Sequence, residues 1–504
     1  MRPDGRPQKQ EIKAEDLLPR QSSEISLDPH DWDAFRATAH AALDDAIEFL
    51  RSVRERPVWT PVPEEARNRL SGPVPLQGSS LEEVYSEFRE LILPYATGNI
   101  HPRFFGWVHG AGVANGIIAE MLAAAMNANC GGRDHGAIYV EKSVIDWCKK
   151  IFEFPSTASG LLVSGTSMAN LIGICVARNS RDDVRKGGLR GYPRSLVAYT
   201  SAEAHESVVR AVEILGLGSA AVRKIAVLKD FAMDVGALRQ AIEKDREAGL
   251  EPFCVIGTAG SVNTGAIDPL EELAEVCGEE GLWFHVDGAF GALGYLTESI
   301  RPRLKGLERA DSLAFDFHKW AQVQYDAGCI LVRKGELQRA AFSMRPAYLK
   351  KMSRGLGAGE NWPCDYGPEL SRSFRALKIW FALKEVGLEK IARIIEQNCE
   401  QARYLEQLVS GEPNLELLAP VSLNIVCFRF PQEGLDGEAL DDLNANIVAD
   451  VQEAGIAAPS TTRIHGRLAI RVNITNHRTR REDLEVLVKG VLAKARERMA
   501  DQHR

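Results

Sequence analysis

The sequence predicts an α/β protein with a mainly parallel central sheet, helices on both faces, a helical N-terminal layer and a small C-terminal α+β domain. Three observations carry that expectation. Short apolar strands alternate with helical stretches from Gly160 to about Trp320, the order that builds a parallel sheet. The strand beginning near Gly281 ends on an aspartate, Asp287, and the one beginning near Ser312 runs out into His318-Lys319. Strand ends are where open α/β sheets bind ligands. The chain has 504 residues, the length of about three ordinary domains or one large α/β domain with attachments. The expected division is residues 1–99 as an arm and helical dimerisation segment, 100–388 as the large domain and 389–504 as the small one.

Lysine and arginine number 61 against 69 acidic residues, a net charge of -8. No basic field exists to recruit nucleic acid or an anionic membrane. The nine cysteines form no Cys-x-x-Cys pair and no cluster with histidine at zinc spacing, so neither a metal site nor a disulfide framework is expected. The polar N-terminus and the lack of any run of about 18 apolar residues point to a soluble, cytoplasmic protein.

In chain order, residues 1 to about 25 are polar and read as a loose arm. Asp28-Pro29 reads as a helix start, followed by Trp32, Phe35, Ala39, Leu43, Ile47, Leu50 and Val53 at helical spacing. Prolines 57, 61, 63, 73 and 75 punctuate a connector, and Ser80-Leu81-Glu82-Glu83 is a capping box opening the next helix. The aromatic, glycine-rich stretch His101–Gly110 precedes helices over about 114–128 and 140–152. Strands follow at Gly160–Val163, Leu196–Thr200 and Phe253–Thr258, with Asp268-Pro269 capping a further helix. Past residue 390, strands at Asn424–Phe430 and Leu468–Val472 and a helix at Glu482–Arg496 form the small domain.

The chemistry centres on Lys319. A lysine acts as a covalent catalyst only when it sheds its proton, which desolvation or nearby positive charge promotes. The flank of Leu313, Phe315, Phe317 and Trp320 is the expected source of that desolvation. Asp287 from the preceding strand unit completes the pair a pyridoxal 5'-phosphate (PLP) enzyme needs. The lysine holds the cofactor aldehyde, and the carboxylate keeps the pyridine nitrogen protonated. With the stretches His318-Lys319-Trp320, His285-Val286-Asp287-Gly288-Ala289 and Ala204-His205-Glu206-Ser207-Val208, the chain from about His101 to Asn476 resembles the group II PLP-dependent amino acid decarboxylases. That is the family of aromatic-L-amino-acid decarboxylase, with the fold type I architecture.

The resemblance implies roles that the residues alone leave open. Ser164-Gly165-Thr166-Ser167 is by itself an ordinary helix cap; the resemblance assigns Gly165, Thr166 and Ser167 to the cofactor phosphate, at a helix N-terminus suited to an anion. His205 becomes the imidazole that stacks on the PLP ring and assists protonation. Thr258, Ala289 and His318 join the cofactor site, although Thr258 also reads as a structural turn residue. Trp107 and His109 line the substrate pocket. Tyr348, 29 residues after Lys319, matches a lid tyrosine that protonates Cα. The N-terminal layer embraces a second subunit, making a homodimer with the site near the interface.

Three departures from the pattern stand out. Aromatic members carry Pro-Thr where this chain has His109-Gly110. They carry bulky apolar residues near Asn129-Cys130-Gly131, and animal members carry Asn-Pro where this chain has Asp316-Phe317. An ionised Asp316 beside a phosphate is repelled, so it is expected to turn away or to pair with Arg345 or Arg375. The implied activity is decarboxylation of an L-amino acid to the amine and carbon dioxide. An aromatic substrate is favoured, with acidic and diamino acids open. Aldehyde synthase or carbon-carbon lyase chemistry on the same site, and a noncatalytic dimeric homologue, are the competing readings.

Overall fold

The computed structural model describes residues 25–181, 184–343, 352–359 and 361–502. Seven strands form the larger sheet: β1 (Ser159–Val163), β2 (Leu196–Ser201), β3 (Val222–Ile225), β4 (Glu251–Thr258), β5 (Trp283–Asp287), β6 (Ser312–Asp316) and β7 (Gly328–Val332), in the order β1-β7-β6-β5-β4-β2-β3. The pairings from β3 through β6 are parallel, whereas β7 runs antiparallel to both β6 and β1. The strands alternate their side chains between two apolar layers, as a two-residue period requires. In β2, Leu196 and Ala198 face one layer while Val197 and Tyr199 face the other; in β6, Ala314 faces the first and Leu313 and Phe315 the second.

The smaller sheet comprises β8 (Glu416–Leu417), β9 (Ile425–Arg429), β10 (Ser460–Ile464) and β11 (Arg467–Asn473), in the order β10-β11-β9-β8 with antiparallel pairings. Its apolar cluster draws on the helices Leu388–Ser410, Gly437–Glu453 and Arg481–Gln502. Loops from the two sheets meet near Lys319. Trp320 Nε1 donates to Asn398 Oδ1 (3.0 Å), and Gln322 Nε2 donates to the Thr475 carbonyl (2.8 Å).

The N-terminal layer departs from the expected start. Its first helix is Trp32–Arg51, and Asp31 rather than Asp28 caps it, accepting from the amides of Asp33 and Ala34. Asp31 lies one residue before the helical backbone, the position from which a carboxylate reaches the free amides of the first turn. The Ser80–Glu83 capping box forms with both reciprocal bonds. Asp268 likewise does not cap the helix Leu270–Glu280: its carboxylate turns inward and accepts the backbone amides of Thr258 and Met233, both at 2.8 Å. Burial pushes this acid up to about 6.

Candidate active site

A cavity of about 490 Å³ opens at the carboxyl ends of β4, β5 and β6, lined by the loops that the parallel strands feed. It gathers Trp107, His109, Gly165, Thr166, Ser167, His205, Thr258, Asp287, Ala289, His318 and Lys319. Tyr348 lies outside the described residues. From Gly165 to Lys319, residues about 150 positions apart in sequence meet because each ends, or follows, an element of one sheet, and the loop of Trp107 and His109 closes over them.

Asp287 is the last residue of β5 and is 4 % exposed. Its Oδ2 accepts from Asn170 Nδ2 at 2.9 Å, and its Oδ1 accepts from the Ala289 amide at 3.2 Å. Asn170, on the helix Thr166–Asn179, is the end of a directed relay. Trp283 Nε1 donates to Ser312 Oγ (2.8 Å), Ser312 Oγ lies 2.7 Å from His285 Nδ1, and His285 Nε2 lies 2.9 Å from Asn170 Oδ1. The indole can only donate and the Asn170 carbonyl can only accept. These two ends fix every proton between them: the Ser312 hydroxyl donates to Nδ1, and Nε2–H donates to Asn170. Complete burial pushes His285 down to about 3, in keeping with a neutral ring. Gly173 makes room for the relay, because a Cβ there would lie 2.7 Å from the His285 ring.

The same Asn170 amide donates to Ser207 Oγ (3.1 Å), which lies 2.9 Å from His205 Nδ1. The Ser207 amide also donates to that nitrogen (3.1 Å), so in the neutral ring the proton sits on Nε2. Asn170, Ser207, His285, Ser312 and Trp283 were not singled out from the sequence. Asn170 shares a helix with the Gly165–Ser167 loop, and His285 precedes Asp287 by two on the strand. A polar side chain in an otherwise apolar strand was the available signal.

Lys319 is not desolvated in the way its flank suggests. Leu313, Phe315, Phe317 and Trp320 all turn into the core, whereas Nζ lies 3.1 Å from Asp316 Oδ2. The chain leaves β6 at Asp316 and turns over residues 317–320, and in that turn Phe317 and Trp320 pack inward while Lys319 is presented to the cavity. Arg375 does not neutralise Asp316, because it is engaged with Asp326 (2.9 Å) and Glu369 (3.1 Å). Arg345 lies outside the described residues. Asp316 does not turn away either; it lines the cavity, 2 % exposed.

The helix Thr166–Asn179 begins at Gly165, which has no side chain to cap the first-turn amides. The Thr166 hydroxyl and Asp316 Oδ1 are buried without a hydrogen-bond partner among the described residues. Free amides, an unmatched hydroxyl and the positive end of a helix suit a phosphate. Gly328 keeps the loop close, since a Cβ there would sit 2.5 Å from the Gly165 Cα. On the opposite wall, His109 packs its ring 5.7 Å from Phe104, 5.9 Å from Trp107 and 5.7 Å from Tyr325. Burial, together with the Lys319 charge, lowers its pKa. Trp107 adopts a positive φ of 50°, and Arg471 of β11 donates to its carbonyl at 2.9 Å.

These features match a known family. Residues 63–431 match the model of the pyridoxal-dependent decarboxylase conserved domain. The chain belongs to that family. It is a PLP-dependent amino acid decarboxylase, a carboxy-lyase. Among its relatives, an aromatic-L-amino-acid decarboxylase of Bacillus atrophaeus is 33% identical over 92% of this chain and 95% of its own. A phenylacetaldehyde synthase of Petunia hybrida is 28% identical over 88% of this chain and 91% of its own. A crystal structure of Oryza sativa TDC with PLP and tryptamine superposes with a TM-score of 0.86 at 25% identity, covering 94% of this chain and all of that one. The mostly parallel seven-stranded sheet of the decarboxylase is that of fold type I. Among the described residues, no helix is long and apolar enough to cross a membrane.

Proposed function

We propose that this decarboxylase converts an aromatic L-amino acid to its amine, working as a homodimer. The observation that carries the substrate class is the wall of packed rings formed by Trp107, His109 and Tyr325, backed by Phe104, on the cavity that also holds Lys319 and Asp287. Flat side chains gain most from such a wall. The dimer reading draws on exposed apolar residues of the N-terminal helices, Trp32, Phe35, Ile47, Val84 and Phe88, and on Ile118, Met121, Leu122 and Met126 of a further helix.

When bound, PLP supplies the electron sink that takes up the pair left as carbon dioxide departs. Lys319 is its covalent attachment point. Asp287, backed by the Trp283–Asn170 relay, would hold the protonated ring nitrogen by accepting its N–H. Gly165, Thr166 and Ser167 hold the phosphate, with Thr258, Ala289 and His318 completing the cofactor site. His205 would lie against the ring, with the proton of its neutral imidazole on Nε2. Trp107 and His109 orient the substrate side chain, and Tyr348 returns the proton to Cα by its sequence position.

The test is to purify the protein with PLP, record its visible spectrum and incubate it with a panel of L-amino acids while trapping carbon dioxide and identifying products. The reading expects a visible cofactor band, absent in Lys319→Ala, and an aromatic amine. An aldehyde with peroxide and ammonia would replace it with aldehyde synthase chemistry, and an amine from an acidic or diamino acid would overturn the substrate class. Light scattering at the mass of one chain would remove the dimer.

A further inference from the structure

Asp316 sets a problem that the family chemistry does not solve. It places a carboxylate at the end of the site where a phosphate dianion belongs. A Cβ on Gly165, at the head of the phosphate loop, would lie 3.7 Å from Asp316 Oδ1 and 3.4 Å from His318 Cε1, so the aspartate and the loop are immediate neighbours. Oδ2 is engaged with Lys319 Nζ at 3.1 Å and lies 3.5 Å from His318 Nε2. Oδ1 has no partner among the described residues, although Asp316 is 2 % exposed. A carboxylate only accepts hydrogen bonds and so does a phosphate dianion, so the two cannot meet without a proton.

We propose that Asp316 holds the cofactor phosphate as a neutral carboxylic acid, donating an O–H from Oδ1, so that loading the site takes up one proton. This rests on the assignment of the Gly165–Ser167 loop to the phosphate. Neighbouring groups are poorly placed to take the proton instead. His318 Nδ1 accepts the Ala327 amide at 3.0 Å, which leaves the ring proton on Nε2; charging the ring would break that bond inside a buried pocket. Burial lowers the pKa of this imidazole despite the aspartate beside it. Tyr325, its ring 4.3 Å from that of His318, is pushed up to about 12 by burial and the Asp316 charge, so it already carries its proton. Cys329, on β7 opposite Phe315 and next to the residue that pairs with Asp316, is a thiol held well above its ordinary value by burial. Lys319 is already counted in the ion pair. Farther off, Asp326 is paired with Arg375 and Lys378 with Glu120. The Asp316 carboxylate plus one solvent proton gives the acid, its O–H points to a phosphate oxygen, the Lys319 contact passes from an ion pair to a hydrogen bond onto the neutral acid's Oδ2, and no covalent bond other than the new O–H changes.

The test uses the full-length apoprotein and pyridoxine 5'-phosphate, whose alcohol does not condense with lysine. Calorimetric titration at pH 8, in buffers of different ionisation enthalpy, counts protons while the ligand is a dianion. The proposal expects uptake of about one proton and an affinity that falls about tenfold per pH unit between roughly pH 7 and 9. D316N should take up about one proton fewer than the wild type, with an affinity less steep in pH by about one decade per unit and at least about tenfold tighter than wild type at pH 9. Binding of the wild type without uptake would overturn the proposal, a result that needs no variant to fold. Equal uptake in D316N would put the proton on the ligand, at its phosphate or its ring nitrogen, and overturn it as well. Pyridoxine lacking the phosphate is the separate control: if it binds as tightly as the phosphate ester, the loop assignment fails, and the proposal with it.

Discussion

Asp287 and Asp316 end neighbouring parallel strands, both are almost wholly buried, and both border the same cavity. Their surroundings differ in one respect. Both oxygens of Asp287 accept from N–H groups held by the fold, Asn170 and the Ala289 amide. Asp316 has one oxygen in an ion pair with the Lys319 amine and one oxygen without a hydrogen-bond partner among the described residues. The first carboxylate is preorganised to stay an acceptor, and the second is left unfinished until a ligand arrives. Identical side chains at equivalent places in one sheet thus take opposite parts, because hydrogen-bond supply, not residue type, decides what a buried carboxylate does.

The largest expected effect removes the preorganised member. Asp287→Ala should lower kcat by about 10²–10³-fold, the scale for losing an electrostatic group aimed at developing charge. Single-turnover decarboxylation with saturating PLP measures it; a loss under tenfold would mean that the two aspartates are less distinct than their bonding. Next comes the relay that makes Asp287 different. Asn170→Ala strands the His285 donor and takes an N–H from Asp287, which should cost about 2–3 kcal/mol of stability and lower kcat. Urea unfolding together with kinetics checks both parts. Ser312→Ala, at the far end of the relay, should reproduce the stability loss with a smaller kinetic one.

On the unfinished side, Asp316→Ala should weaken pyridoxine phosphate binding about tenfold at neutral pH, the scale of one hydrogen bond to a charged group. Its effect on kcat with the cofactor saturating should be smaller than that of Asp287→Ala, and the reverse order would break the comparison.

A smaller effect concerns the wall above Lys319. Gly110 lies so close to the lysine peptide that a Cβ would be 2.4 Å from the His318 carbonyl and 2.6 Å from that of Lys319. Gly110→Thr should therefore destabilise by about 1–3 kcal/mol and raise KM by moving His109. A wild-type KM with an unchanged melting temperature would contradict that packing.

The pH response should be the mildest. The unfolded chain takes up protons on His285, His101 and His477 below their ordinary 6.5, but burial holds the folded values near 3, 4 and 4. Stability from these groups is complete above about pH 6.5 and declines as pH falls below it. Asp268, raised to about 6, works the other way between its ordinary 3.8 and 6. The histidines outnumber it, so the melting temperature should be lower at pH 5 than at pH 7.5. His285→Phe should flatten part of that slope.

Read alone, the sequence determined the class of sheet, the family and the group of residues around Lys319, because these are carried by local patterns. Strand-helix alternation, the His-Lys-Trp and His-Val-Asp-x-Ala stretches and the capping box at Ser80 each lie within a few residues of one another. It also flagged Asp316 and His109-Gly110 as departures. What it missed depends on packing between distant segments. The relay from Trp283 to Asp287 joins β5, β6 and the helix Thr166–Asn179, and no spacing in the chain records which polar side chains will face each other across a sheet. The partner of Asp316 was misjudged for the same reason: two arginines were candidates by charge, yet the one that is described is engaged elsewhere and Lys319 lies nearest. The apolar flank of Lys319 suggests a desolvated amine, but those side chains pack into the core while the turn after β6 presents Lys319 to the cavity. Local periodicity fixes which elements form, whereas the protonation and pairing of buried polar groups follow from the tertiary contacts that surround them.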